Sequence, residues 1–300
     1  MRHNPVNTRI PLSSQAAAET TVEEHCRAPD KTPAPSLPRE ARLPINRCNL
    51  PAVILGGLTY QRHPVPLLLD GVAEFHQALF THLDRLPTAA QRAQLLRDYL
   101  TVHFRLEHLD EAGMTTRSKG RAKANWMRLL RGWSFDADGR EGAVLKGWVE
   151  SRFGLLPRFH GQALRDQGSP AWRRYEEMRA RGLYGTNALE AQLDLLYTYA
   201  QYEFARDGGD SHRTLYRGAN RLADHEVLAG ADGRQIVLFN NLSSFTTSRE
   251  RAGEFGDLIF AAEVPLSKIF FHCRLLPGVL GGEEEHLVIG GAYAVAVHRF

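Results

Sequence analysis

Cysteine is scarce in this 300-residue chain: Cys26, Cys48 and Cys273 stand far apart and form no CxxC pair. Disulfide frameworks and zinc clusters need paired or closely spaced thiols, so neither is expected, and the chain reads as reduced and cytosolic. Long apolar runs are missing too. None approaches the roughly 20 residues of a membrane span, and the N-terminus lacks a compact apolar core with a cleavage site, so secretion is not expected. Charge of one sign is also lacking: 37 Lys and Arg against 34 Asp and Glu leave +3, which argues against a polyelectrolyte nucleic-acid binder.

The motif inventory is equally thin. There is no GxxxxGK(S/T) phosphate loop, no GxGxxG after a strand, no GxSxG elbow and no HExxH helix. The common signals of a P-loop NTPase, a dinucleotide dehydrogenase, a serine hydrolase and a zincin are therefore absent. Asp136-Ala-Asp138-Gly139 resembles the start of a calcium loop without its downstream ligands, and a turn is the better reading.

What is present divides the chain into three. Residues 1–41 are rich in Pro, Ser, Thr and Ala, with Pro29, Pro33, Pro35 and Pro38 breaking any regular element; this reads as a disordered tail rather than a transit signal. Residues 42–208 are mainly helical. Leu68, Val72, Phe75, Leu79 and Leu83 recur at helical spacing, as do Leu95, Leu96, Tyr99, Val102 and Leu106. The clearest helix starts at Asn187, with Glu190 placed for a capping box, and Leu189, Leu193, Leu196, Ala200 and Phe204 line one face. Residues 209–300 change to short β-rich runs: 214–216, 235–239, 258–264, 269–272, 287–289 and 292–297, with a helical insert over 248–255. The fold class expected is α+β, a helical N-terminal portion followed by a mainly β one.

Three pieces of the β-rich portion carry chemistry. Leu215-Tyr216-Arg217-Gly218 places a guanidinium at a strand end beside a glycine, an arrangement suited to a phosphate-bearing ligand. Ser243-Ser244-Phe245-Thr246-Thr247-Ser248 offers hydroxyls at alternate positions and an aromatic ring. Gly281-Gly282-Glu283-Glu284-Glu285 leads into an apolar strand, on which Glu283 and Glu285 would share a face. Each alone also admits a plainer reading: a surface arginine, a helix cap, a solvated acidic loop.

Taken in order, the pieces resemble the Arg–Ser–Glu class of ADP-ribosyltransferases, with an aromatic-Arg strand, a Ser-Thr-Ser strand and a Glu-x-Glu motif near the C-terminus. Thr246-Thr247-Ser248 departs from strict Ser-Thr-Ser; Thr247, two after the aromatic, is favoured as the match to the first serine, with Thr246 the alternative. Within the class, the chain is similar to the dinitrogenase reductase ADP-ribosyltransferases. Asn46-Arg-Cys-Asn-Leu-Pro-Ala, the run from Gly142 to His160, Asn187-Ala-Leu-Glu, Asn240-Asn-Leu-Ser-Ser-Phe-Thr and Glu285-His-Leu-Val-Ile-Gly-Gly carry that similarity over roughly residues 43–300.

The resemblance implies an NAD-binding catalytic core in 209–300. It implies transfer of ADP-ribose from NAD to an arginine of dinitrogenase reductase, the nitrogenase iron protein, with release of nicotinamide and arrest of nitrogen fixation. Glu285 would stabilise the charge that develops at the anomeric carbon, and Glu283 would orient the acceptor guanidinium and take its proton. Arg217 would clamp the pyrophosphate side, Gly218 would meet the nicotinamide amide, and Thr247 and Ser248 would hold Glu285 and the ribose. Phe245 or Phe255 would stack on nicotinamide, with core packing at least as good a reading of Phe255. Leu280, Gly281 and Gly282 belong to the implied substrate-recognition turn. The helical portion is assigned to the protein substrate and to a PII-type nitrogen-signalling protein. No metal is demanded. The rivals are an NAD glycohydrolase, which leaves Glu283 without a task, and a non-catalytic NAD or protein sensor, which needs no paired carboxylates.

Overall fold

The structure, a computed structural model, describes residues 36–106, 124–231, 234–277 and 284–299. The described residues all belong to one compact unit. In chain order the described helices and strands begin with α1 (Ala52–Leu55), α2 (Leu58–Arg62), α3 (Val72–Phe75), α4 (Gln77–Leu83) and α5 (Ala89–His103). Next come α6 (Trp126–Phe135), α7 (Arg140–Phe153), a hairpin of β1 (Arg158–Phe159) and β2 (Gln162–Ala163), α8 (Pro170–Leu183) and α9 (Ala188–Asp207). The remainder is β3 (His212–Ala219), β4 (Glu226–Ala231), β5 (Arg234–Thr246), α10 (Arg249–Gly253), β6 (Leu258–Pro265), β7 (Ile269–His272) and β8 (Glu285–Arg299). No helix among the described residues is long and apolar enough to cross a membrane.

Helix α6 forms because Trp126, Leu129, Leu130 and Trp133 make one apolar stripe, all buried, and the Asn125 side chain caps the Met127 N–H at 2.9 Å. Helix α7 is buried on nearly every face and ends at Gly154, whose φ of 69° suits a left-handed cap. Its buried charges are paired: Arg152 reaches Asp194 at 2.8 Å and Glu190 at 2.9 Å, and Tyr175 donates to Glu150 at 2.8 Å. Helix α9 buries Leu189, Leu193, Leu196, Ala200 and Phe204, as their spacing predicts. Its expected capping box does not form. Glu190 is drawn away by Arg152 and by Arg179 at 3.2 Å, and the Thr186 hydroxyl accepts from the Ala188 N–H instead.

Two further sequence expectations are corrected. The stripe from Leu68 to Leu83 is not one helix: Gly71 turns left-handed at φ 75°, α3 and α4 are separate, and Leu68 and Phe75 are exposed. The end of the supposed tail is packed, with Leu37 and Ala41 buried and Leu156 N bonded to Ala41 O at 3.0 Å.

The strands form a six-stranded antiparallel sheet in the order β4-β5-β3-β6-β8-β7, with an additional β5–β8 pairing. The two runs expected at 287–289 and 292–297 are one long strand, β8. It changes partners along its length: Glu285–Ile289 faces Leu242–Thr246 of β5, and the far half pairs with both β5 and β6. The break lies at Gly290-Gly291, opposite an irregularity at Asn240-Asn241. A side chain on Gly290 would overlap the Asn240 carbonyl, and Gly291 has φ 122°. One hydrophobic cluster joins the helices to the strands around this break, including Trp133, Trp148, Leu196, Phe239, Leu242 and Tyr293.

Lys268 is buried between β6 and β7; its ammonium donates to Gly290 O and faces the Tyr293 ring at 4.6 Å and the Tyr60 ring at 6.0 Å. Burial pushes its pKa down to about 7, and Tyr60 is pushed up to about 12, so that phenol stays neutral. Between about pH 7 and the ordinary lysine value the unfolded chain binds more protons than the folded one, so stability rises with pH through that window. Lys268→Met removes this dependence. In thermal melts the Tm of the variant minus that of the wild type should be more positive near pH 6 than near pH 9; a difference independent of pH would show that Lys268 stays charged when folded.

Candidate active site

Strands β3 and β5 share a single register pair, Tyr216↔Thr246. A cleft of ≈ 330 Å³ lies beside it, lined by Arg217 and Gly218 of β3, Ser244 of β5, Glu285 of β8, Trp133 and Ser134 of α6, and Phe255 beyond α10. The register places Ser244 opposite Leu287, so Glu285, two residues away, is its diagonal neighbour on the same face.

The hydrogen bonds fix the direction of each proton. Trp133 Nε1 donates to Ser244 Oγ at 2.8 Å. An indole N–H only donates, so Ser244 must turn its own hydrogen elsewhere, and it gives it to Glu285 Oε1 at 2.6 Å. Ser134 donates to Glu285 Oε2 at 3.1 Å, so both carboxylate oxygens are held. Arg217 Nη1 donates to Ser244 O at 2.7 Å, and its buried Nε has no hydrogen-bond partner. Burial lowers the Arg217 pKa and Glu285 partly offsets this; arginine titrates so high that the guanidinium stays charged. Burial first and Arg217 second push His225 down to about 4, leaving a neutral ring beside the cation.

Glu284 turns away from this cleft. Its backbone is left-handed at φ 47°, and its carboxylate accepts from Thr247 Oγ1 at 2.8 Å and from Arg274 at 2.9 Å. Its carbonyl accepts from His286 Nδ1 at 2.8 Å, while Arg213 points a donor at His286 Nε2 at 3.4 Å. A guanidinium only donates, so the hydrogen of the neutral imidazole sits on Nδ1. Burial pushes His286 down to about 4, which keeps it neutral.

The structure brings together Arg217, Gly218, Phe245, Phe255 and Glu285 of the residues singled out from sequence, with the alternative Thr246 also on the cleft wall. It does not bring Thr247 or Ser248 to Glu285. Thr247 bonds Glu284, and Ser248 caps α10 by accepting from the Arg251 N–H at 3.2 Å. Thr246 does not reach Glu285 with its hydroxyl either, accepting instead from the Ser248 N–H at 3.1 Å. The hydroxyl that meets Glu285 from β5 is Ser244. Both candidates for stacking line the cleft: Phe245 is 3% exposed and packs edge-on against Phe239, and Phe255 is 63% exposed on the cleft wall. Gly218 is small for packing as well as for access, since a side chain there would overlap the Ala252 carbonyl of α10. Glu283, Leu280, Gly281 and Gly282 lie outside the described residues. Sequence reasoning missed Trp133 and Ser134, whose only signal is a polar residue closing an amphipathic helix far from the β-rich portion.

The sequence model of the family described as dinitrogenase reductase ADP-ribosyltransferase matches residues 45–297. A relative from Rhodospirillum rubrum, named NAD(+)--dinitrogen-reductase ADP-D-ribosyltransferase, is 38% identical over 259 residues, covering 83% of this chain and 93% of its own length. No solved structure matches significantly.

Gly218→Ala should push α10 from β3 and cost about 1–3 kcal/mol, the usual range for overpacking. Denaturant unfolding measures this; a midpoint equal to that of the wild type would show that α10 moves freely.

Proposed function

Because the chain belongs to the dinitrogenase reductase ADP-ribosyltransferase family, we propose that it transfers ADP-ribose from NAD to an arginine of dinitrogenase reductase, releasing nicotinamide and inactivating the iron protein. The observation that carries this reading is a carboxylate with both oxygens held by hydroxyls, facing a cleft that also holds a guanidinium with an unpartnered Nε. These residues fit NAD. The remaining donors of Arg217 suit its phosphates and ribose, and the exposed Phe255 offers a ring face to nicotinamide.

Cleavage of the nicotinamide–ribose bond builds positive charge at the anomeric carbon as nicotinamide leaves with the bonding pair. Glu285, fixed by Ser244 and Ser134, needs no reorganisation to stabilise that charge, and it retains lone pairs for a ribose hydroxyl. Trp133 acts through Ser244, since its N–H dictates where the serine hydrogen points. A guanidine nitrogen of the acceptor then bonds to the anomeric carbon, and Glu283 orients the guanidinium and takes the proton released. Thr247 enters by anchoring Glu284 between the two carboxylates, rather than by touching Glu285 as the sequence suggested. Ser248 contributes by fixing α10, which carries the cleft wall on which Phe255 sits. The turn containing Leu280, Gly281 and Gly282 is assigned to recognition of the acceptor, and the helical portion to docking of the large protein substrate and of a PII-type nitrogen-signalling protein. The cytoplasm is the proposed compartment, consistent with the scarcity of thiols.

Labelled NAD incubated with dinitrogenase reductase should place label on an arginine. Glu285→Gln should lower kcat on the order of 10²–10³-fold, as loss of a preorganised charge-stabilising group does, with Tm preserved. Glu283→Gln should abolish arginine labelling while nicotinamide release persists. Release of nicotinamide by the wild type without protein labelling would favour a glycohydrolase instead.

A further inference from the structure

Phe135 is 93% exposed, yet it directly follows Ser134, whose hydroxyl lies 3.1 Å from the catalytic carboxylate. Phe135 is a large aromatic left open to water one residue from a group that holds that carboxylate. It is not a displaced core residue, because Trp126, Leu129, Leu130 and Trp133 already bury the opposite side of α6. Arg131 lies one helical turn before Phe135, exposed on the same side, and both line a surface groove of ≈ 620 Å³ with Met127 and Arg128.

We propose that this ridge, Phe135 with Arg131, is a docking surface for the acceptor protein. The proposal rests on the transferase reading. An arginine side chain is a few bonds long, so a folded acceptor that brings its guanidinium to Glu285 must lay its own surface over the residues at the cleft mouth. Phe135 is then covered by that surface and takes an apolar patch beside the modified arginine, while Arg131 takes a carbonyl or carboxylate oxygen. Exposed aromatic and arginine side chains of this kind are the usual anchors of protein interfaces. Small guanidines and water reach the cleft without covering the ridge. The ridge therefore acts on protein acceptors alone.

The test compares three reactions of the full chain with labelled NAD: modification of dinitrogenase reductase, modification of agmatine, and nicotinamide release without acceptor. Phe135→Ala and Arg131→Glu should each raise KM for the iron protein on the order of tenfold, the size of an interface anchor, and leave the other two reactions within about twofold. Unchanged labelling of the iron protein in both variants overturns the proposal. A parallel fall of all three reactions also overturns it, because Phe135 would then serve the cleft itself. Failure of the underlying transferase reading is distinguishable, since it shows in the wild type as nicotinamide release with neither acceptor labelled.

Discussion

Where β5 and β8 run side by side, Asn240 and Asn241 leave the ladder opposite Gly290, and Gly291 packs against the backbone of Gly56. Bulged residues strand backbone groups that must find other partners. Here the asparagine side chains reach into the helical portion. Asn240 exchanges hydrogen bonds with Arg158 N and O at 2.7 and 2.9 Å, and Asn241 donates to Lys146 O at 2.8 Å and Leu155 O at 3.1 Å. Gly290 is required because nothing larger fits against the Asn240 carbonyl. After this break the two strands resume pairing in the register that sets Ser244 and Glu285 on one face. A one-residue slip would turn every side chain of that segment to the other face. The position of the carboxylate thus depends on four residues that never touch it.

The helical portion completes the site. It supplies Trp133, which sets the direction of the Ser244 proton, and Ser134, which holds the second oxygen of Glu285. It keeps them in place through α7, whose desolvated polar groups are matched: Arg152 with Asp194 and Glu190, and Trp148 Nε1 with Asp194 at 2.7 Å. Such pairs contribute little net stability, but they penalise any packing that leaves one partner alone. Behind β8 the neutral His286, the left-handed Glu284 and the Thr247 and Arg274 donors make a second anchor, on the side away from the cleft.

The broad layout was legible in the sequence because periodicity reports burial. The α9 stripe and the runs that became β3, β6 and β7 appear where their patterns fall. The exceptions have physical reasons. A capping box at Glu190 lost to Arg152 and Arg179, a local preference overridden by tertiary charge pairing. Strand β4 was not anticipated, since Glu226–Ala231 contains a glycine and little alternation. In the site, Arg217 and Glu285 were readable from their ordered motifs. Ser244 lay within the hydroxyl cluster, but choosing it over Thr247 needs the β5–β8 register, which a bulge shifts and which spacing alone does not reveal. Phe245 and Phe255 could not be told apart either, because the two residues lie on opposite sides of the turn that caps α10.

The hydrogen bond from Ser134 to Glu285 also bears on how such a fold can be divided or rebuilt. Strands β3 to β8 taken alone would carry Arg217, Ser244 and Glu285 in correct order. Ser244 would then have no indole to direct its proton, and the carboxylate would keep one hydroxyl where it now has two. A β-core lifted into another protein would bring the recognisable motif and leave half of its support behind. The portable unit is therefore defined by the second oxygen of a carboxylate, and it includes α6.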